Sequence, residues 1–269
     1  MFVNVNPQSL LDLALLDPAR HYFICYTLLG DQPYEASWAF FEDEKDRDPE
    51  LAVFLRKSGL IQIAKAPDLE IERYGWALEQ LLSEISWRQA NVSQDIAKLI
   101  EDMHFQTETG MGAKIAKCEA LQLKSPSLDS LQKDAPQIRM MDASDIPNIT
   151  HLYKSVFSSF AKPNYMIEKL NSGRGRVMGA FHKGQMVSVA QTDFEDAEFA
   201  LIVGVATYPD HQGRGHGRRL MESLCNVLIQ EGKILYLQYD SPVAGALYES
   251  MGFQTVEQII HIKNLAYNR

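Results

Sequence analysis

The passage from Phe199 to Gln230 restricts what this chain can fold into more than any other. It opens with an almost wholly apolar run, FALIVGVAT, passes through Gln212-Gly213-Arg214-Gly215-His216-Gly217, and continues as a helical pattern with Leu220, Leu224 and Leu228 on one face. An apolar run of that length, bounded by turn residues, reads as a buried central strand. A glycine-rich turn between such a strand and a helix start leaves several backbone N–H groups without intrahelical partners. The helix dipole makes the point they face favourable for an anion. Glycines at 215 and 217 let the backbone approach a phosphate with no Cβ in the way. Arg214, Arg218 and Arg219 concentrate positive charge around this turn in a chain of net charge −9. A diphosphate is the natural guest.

Spacing removes two common phosphate loops. A dinucleotide fingerprint, GxGxxG, fails because counting from Gly213 ends on Arg218 and counting from Gly215 ends on Leu220. A Walker loop needs GxxxxGK followed by Ser or Thr, which is absent here. A second block lies downstream: Ser241-Pro242 offers an N-cap and a first-turn proline, and Ala246-Leu247-Tyr248-Glu249-Ser250-Met251-Gly252-Phe253 closes a helix on glycine.

Together these blocks resemble the GNAT N-acetyltransferase superfamily. Gln212, Gly215 and Gly217, preceded by Pro209, match its Gln/Arg-x-x-Gly-x-Gly/Ala motif, and Leu247-Tyr248 through Gly252-Phe253 resembles its LY-x-x-x-GF block. The resemblance implies an α/β fold with a mixed, mostly antiparallel sheet, splayed beside the central strand and covered by helices on both faces. It implies acetyl-CoA as co-substrate, its pyrophosphate held by Gln212, Gly213, Arg214, Gly215, His216, Gly217 and Arg218, and its pantetheine arm by the backbone of Val205, Ala206 and Thr207. Ser241 stands where many members carry Asn and offers a hydroxyl. His216 is placed here as a cation near the pyrophosphate. The implied reaction is direct attack of a primary amine, of a small molecule or a peptide, on the thioester. The Ala206-Thr207 backbone steadies the oxyanion and Tyr248 protonates the leaving sulfur. The alternative is a catalytically silent acyl-CoA-binding sensor or scaffold, and an O-acyltransferase or a longer acyl donor also satisfies the motifs. Asp193, Glu195, Asp196 and Glu198 fall in a region from which family members draw a base; four acids so close together read as a solvated loop, and none is assigned.

The resemblance covers only the C-terminal half, and 269 residues accommodate a second domain. Ser125 to Pro136, rich in Ser and Pro, reads as a linker between a domain at 1–124 and the acyl-CoA domain at 137–269. The first domain is expected to be α/β. It holds a helix at Ser9–Leu16, strand-like runs at His21–Leu29, Tyr34–Phe41 and Cys118–Leu123, and an acidic loop, FEDEKDRDPE. It also shows an amphipathic helix on Ile71, Tyr74, Leu78, Leu81 and Ile85, paired with a second on Val92, Ile96, Leu99 and Met103. Two-domain relatives similar to glycine N-acyltransferases carry a degenerate copy of the same fold in this position. In the second domain the expected order is a strand at Gln137–Met141, helices to Phe157 and at Asn164–Leu170, a hairpin turning on Lys183-Gly184, the central strand, the long helix, and a strand at Ile234–Tyr239. The final helix precedes a last strand ending near Lys263.

The acidic balance argues against nucleic-acid or anionic-membrane partners. Three scattered cysteines give neither a disulfide framework nor a zinc site. With no basic leader before an unbroken apolar run, a cytoplasmic location is expected.

Overall fold

The computed structural model describes residues 1–29, 34–41, 48–122, 135–157 and 163–267. The expected linker falls mostly, and the acidic loop largely, outside these residues. The chain forms two compact units, Met1–Ile115 with Thr255–Arg269, and Ala116–Gln254. Among the described residues no helix is long and apolar enough to cross a membrane.

The first unit begins with β1 (Phe2–Asn4), a 3-10 turn, and helices α1 (Leu11–Leu15) and α2 (Tyr22–Leu29). There follow β2 (Ala36–Phe40), β3 (Leu51–Leu55), β4 (Leu60–Lys65), α3 (Gly75–Glu84), β5 (Gln89–Val92), α4 (Gln94–Glu101) and β6 (Thr107–Cys118). β1 to β4 pair antiparallel, whereas β4 and β5 are parallel through Leu60↔Gln89 to Gln62↔Asn91. Alternation along β3 sends Leu51 and Val53 to the core under α3 and α4, and Ala52 and Phe54 to the core under α1 and α2. The paired helical patterns predicted from sequence thus share one core, with Leu78, Leu81, Ile96 and Ile100 in it.

Three readings of this region are corrected. His21–Leu29 is helical, because its apolar residues are buried all round: Tyr22, Ile24, Cys25 and Leu28 are all enclosed, and the run shows no single apolar face to betray a helix. Asp17 starts it by accepting the Arg20 N–H at 3.1 Å on its carboxylate. Val92 belongs to β5, and of the strand expected at Cys118–Leu123 only Cys118 is strand, as the last residue of β6, while residues 119–122 lie outside any strand.

The second unit contains β7 (Gln137–Met140), α5 (Ile146–Val156), α6 (Pro163–Ser172), β8 (Val177–His182), β9 (Gln185–Glu195), β10 (Phe199–Thr207), α7 (His216–Gln230), β11 (Ile234–Tyr239) and α8 (Pro242–Glu249). Its strand order is β11-β10-β9-β8-β7, antiparallel except for β10 with β11. Asp142 and Asp145 form a capping box ahead of α5. Lys183 and Gly184, both at positive φ (51° and 81°), turn the β8–β9 hairpin. Leu220, Leu224 and Leu228 are fully buried under α7, each contributing about 2 kcal/mol of burial free energy. β12 (Gln254–Asn264) follows, but it pairs with β5 through Ile260↔Val92 to Lys263↔Gln89. This differs from the expected division, which carried the second domain to Arg269. Backbone pairing places the last strand in the first unit.

Both units share one order, a strand, two helices, three antiparallel strands, a helix, a parallel strand and a helix; β6 follows in the first, whereas the strand that follows α8, β12, pairs in the first unit. The buried His21 ties helix to sheet in the first. Its Nδ1 faces Ala14 O at 3.1 Å and its Nε2 accepts from Lys65 N–H at 3.2 Å, which fixes a neutral ring. Burial pushes its pKa down to about 4. The unfolded chain takes up this proton near pH 6.5, so stability is complete above that pH and falls by about 3 kcal/mol as pH drops through the window to 4. Urea-unfolding midpoints measured from pH 7.5 to 4 should fall accordingly in the wild type, and the part due to this ring should vanish in His21→Gln.

Candidate acyl-CoA site

The site begins where β10 parts from β11. Registered pairs run from Phe199↔Ile234 to Ile202↔Leu237 and stop there. At this point Gly204 takes a φ of +60°, and the β9–β10 register shifts between Val203 and Ala206. A Cβ on Gly204 would meet the Tyr153 hydroxyl and, at 2.7 Å, Gln191 Nε2, so only glycine fits.

Beyond the bulge the ladder fixes where each amide points. Tyr208 N–H donates to Val187 O in β9 at 3.0 Å. Amides alternate along a strand, so Ala206 N–H also faces β9, while those of Val205 and Thr207 face the parted side. Of the two amides expected to steady an oxyanion, that of Ala206 is thus turned into the sheet. Ser188 Oγ secures this arrangement by donating to Ala206 O at 2.8 Å, and it lies 2.8 Å from Thr207 Oγ1.

Gln212 donates through Nε2 to Thr207 O at 3.1 Å, folding the turn back on the end of β10. Gly213 and Gly215 have φ of +72° and +77°, and a Cβ on either would point into open space. Gly215 is the N-cap of α7 and supplies no side-chain cap, so the first amides of a fifteen-residue helix face outward. Gly217 is glycine for a different reason: a Cβ there would stand 3.0 Å from Thr207 Oγ1, where the helix start crosses the strand end. The turn is an exposed cradle, open beside a parted strand, and fits a diphosphate with an extended arm running from it.

Residues 146–253 match the family described as Acetyltransferase (GNAT) family. They form a GNAT acetyltransferase domain. Three solved structures share the fold over nearly whole chains. A GNAT-family acetyltransferase from Colwellia psychrerythraea has a TM-score of 0.67 at 13% identity, covering 98% of this chain and 99% of that one. A GCN5-related N-acetyltransferase from Sphaerobacter thermophilus gives 0.67 at 14% identity, covering 98% and 95%. A tandem GNAT protein from the clavulanic acid biosynthesis pathway gives 0.62 at 12% identity, covering 100% and 99%. No curated protein matches the sequence. Acyl transfer from acyl-CoA to an amine is the general chemistry that this family membership carries.

Within the GNAT domain the side chains divide by role. Arg214 is exposed beside the cradle. Arg218 is committed elsewhere, with Nε 2.8 Å from Glu222 and its Nη atoms donating to Ser250 Oγ and O at 2.6 and 3.2 Å. Only its backbone amide belongs to the turn. The His216 ring, expected as a cation near the pyrophosphate, is 5% exposed and packs within 6.0 Å of the His182 and His211 rings. Neither of its nitrogens finds a hydrogen-bond partner among the described residues. Burial, then His182 and His211, then Arg219 and Arg214 push its pKa down, so the ring is neutral and its amide is what the cradle receives. Ser241 is the N-cap of α8 without a side-chain cap bond, leaving its exposed hydroxyl uncommitted to the helix.

Tyr248 is buried in α8 against Tyr239 and Phe253, at ring distances of 5.9 Å. Burial, reinforced by Cys225, pushes its pKa up to about 12, so the phenol keeps its proton at neutral pH. Sequence reasoning passed over Tyr153, Ser188, Gln191 and Lys169, which shape β10 without belonging to a local motif.

Gly215→Ala should cost about 1 kcal/mol of stability from the left-handed backbone. It should also weaken coenzyme A binding at least about tenfold, because the new methyl enters the cradle. Gly232→Ala, at the far end of α7 with φ +84°, is the control. Calorimetry should show the same loss of stability there with coenzyme A affinity unchanged.

Proposed function

We propose that this protein is an N-acetyltransferase that moves an acetyl group from acetyl-CoA to a primary amine of a small molecule or peptide. The observation that carries this reading is the coincidence of three features in one domain: the parted β10, the glycine cradle that follows it, and a protonated phenol in α8. The amides of Gly213, Arg214, Gly215, His216, Gly217 and Arg218, with Gln212 bracing the turn, would receive the pyrophosphate, and Ser241 a further polar contact. Val205 and Thr207 would pair with the pantetheine arm across the parted edge, with Ala206 keeping the strand on β9.

The amine nitrogen attacks the thioester carbonyl carbon, and the carbon–sulfur bond breaks. Negative charge developing on the carbonyl oxygen is met by the Val205 N–H, a fixed dipole that needs no reorganisation. Tyr248 gives its proton to the departing sulfur, and the excess proton on the new amide nitrogen restores the phenol. The raised pKa keeps Tyr248 in its donating form across the working range.

The first unit, in this reading, is a GNAT-like copy that has lost the cofactor. Between β4 and α3 its connection, residues 66–74, contains no glycine. Lys65, at the end of β4, is buried and held by Leu69 O at 2.9 Å and Asp95 at 3.3 Å, closing the position at which β10 opens in the other unit.

Acetyl-CoA titration followed by a panel of polyamines, amino acids, aminoglycosides and peptides, read as coenzyme A release, tests the proposal. Binding with no amine-dependent release would leave a sensor, and no binding would remove the reading altogether. With a reactive amine, Tyr248→Phe should lower kcat by about a hundredfold while leaving acetyl-CoA affinity near its wild-type value; equal activity would end its role as acid.

A further inference from the structure

The peptide joining Gly204 to Val205 is clamped from one side. Tyr153, in α5, donates its hydroxyl to Gly204 O at 2.7 Å. Among the described residues there are no cis peptides, and in a planar trans unit the N–H points opposite to the C=O. Holding the Gly204 carbonyl toward α5 therefore aims the Val205 N–H at the parted edge, the direction that the β9 ladder independently requires. The rest of the Tyr153 ring is ordinary core, packed with Phe157 at 5.3 Å and enclosed among Ile149, Leu152 and Val189. The hydroxyl, not the ring, is what reaches the strand.

Behind this bond stands a buried polar group. Lys169 Nζ donates to Gln191 Oε1 at 2.6 Å and to Asp193 Oδ1 at 2.9 Å, with the Lys169 and Asp193 side chains 3% and 5% exposed. With its oxygen taken by Lys169, the Gln191 amide turns its nitrogen toward Gly204, close enough that a Cβ there would lie 2.7 Å away. A fully buried ion pair rarely stabilises a fold more than apolar residues of the same size would. Here it fixes the orientation of the amide that walls the bulge. Burial and the nearby Asp193 carboxylate both push the Tyr153 phenol upward, so it stays a donor throughout the working pH range.

We propose that Tyr153 is a positioning residue for the transferred acyl group, setting the direction of the Val205 N–H through Gly204, with Gln191, Lys169 and Asp193 holding the bulge in place. This rests on the acetyl-CoA reading above. Tyr153 touches no reacting atom; without its hydroxyl the Gly204–Val205 peptide, lying in the register shift between Val203 and Ala206, keeps only the neighbouring ladder to orient it, and the donor is less fixed while the cradle is untouched.

Isotope-edited infrared spectroscopy of acetyl-CoA labelled with carbon-13 at the carbonyl, bound to the full chain, reads this directly and needs no acceptor. A hydrogen bond to the thioester oxygen displaces its band to lower frequency than in free acetyl-CoA. Tyr153→Phe should bind with Kd within about twofold of wild type, return the band toward its free position, and, with any reactive amine, lower kcat about ten- to a hundredfold. The double variant Lys169→Met, Asp193→Leu removes the pair without stranding a charge and should move the band partway; it carries the test if Tyr153→Phe does not fold. A wild-type band that is not displaced, or one left displaced in the variant that folds, overturns the role of Tyr153 and leaves acetyl-CoA binding standing. Failure of the wild type to bind acetyl-CoA overturns both.

Discussion

The second unit depends on a break in one ladder. Four registered pairs join β10 to β11, and then Gly204 turns into a conformation that only glycine accepts in that crowded place. A strand that lost its partner in a closed core would leave amides unsatisfied at a cost of about 1–3 kcal/mol each. Here the loss is confined to one edge, because β9 continues to pair with Ala206, Thr207 and Tyr208 on the other. The parted edge, the turn folded back through Gln212, and the start of α7 against Thr207 all follow from that single departure. Local strain is concentrated where a ligand would relieve the exposed amides.

The two units show how little of this chemistry resides in the fold itself. Both carry a parallel pair, with a helix between its strands and another helix after them. In one, the central strand leads to glycines with positive φ and an exposed helix start. In the other, it leads to a buried lysine bound to Asp95 and to backbone carbonyls. An ion pair and two hydrogen bonds among neighbouring residues complete the first arrangement from within, whereas the second is completed only by something added.

The GNAT domain was legible in the sequence because its signals are local. The glycine turn, the capping acids at Asp142 and Asp145, the Lys183-Gly184 hairpin and the alternating strands each announce themselves within a few residues. The first unit was harder to read. His21–Leu29 is apolar on every side, and an enclosed helix then looks like a strand. β5 is only four residues long and runs into α4, so its Val92 appeared to extend the helical period. Within the candidate site the backbone turn could be read, but not the fate of its side chains. Nothing local shows that His216 turns inward to two other histidines, or that Arg218 is taken by Glu222 and Ser250. Tyr153, Lys169 and Gln191 act on Gly204 from three different elements, a relation that exists only after folding.

The position of β12 has a consequence for how the chain is made. The strand that covers the outer side of β5 is synthesised only after the second unit's other elements, and His261 meets Asn91 at 2.6 Å across a separation of 170 residues. While the ribosome produces the intervening segment, β5 presents an open edge, the kind of edge on which strands from other chains can add. The second unit carries no such delay in its own central pairs. Vectorial synthesis therefore favours completion of the GNAT domain's central sheet before that of the unit preceding it, and a nascent chain stalled before Gln254 would leave the β5 edge uncovered.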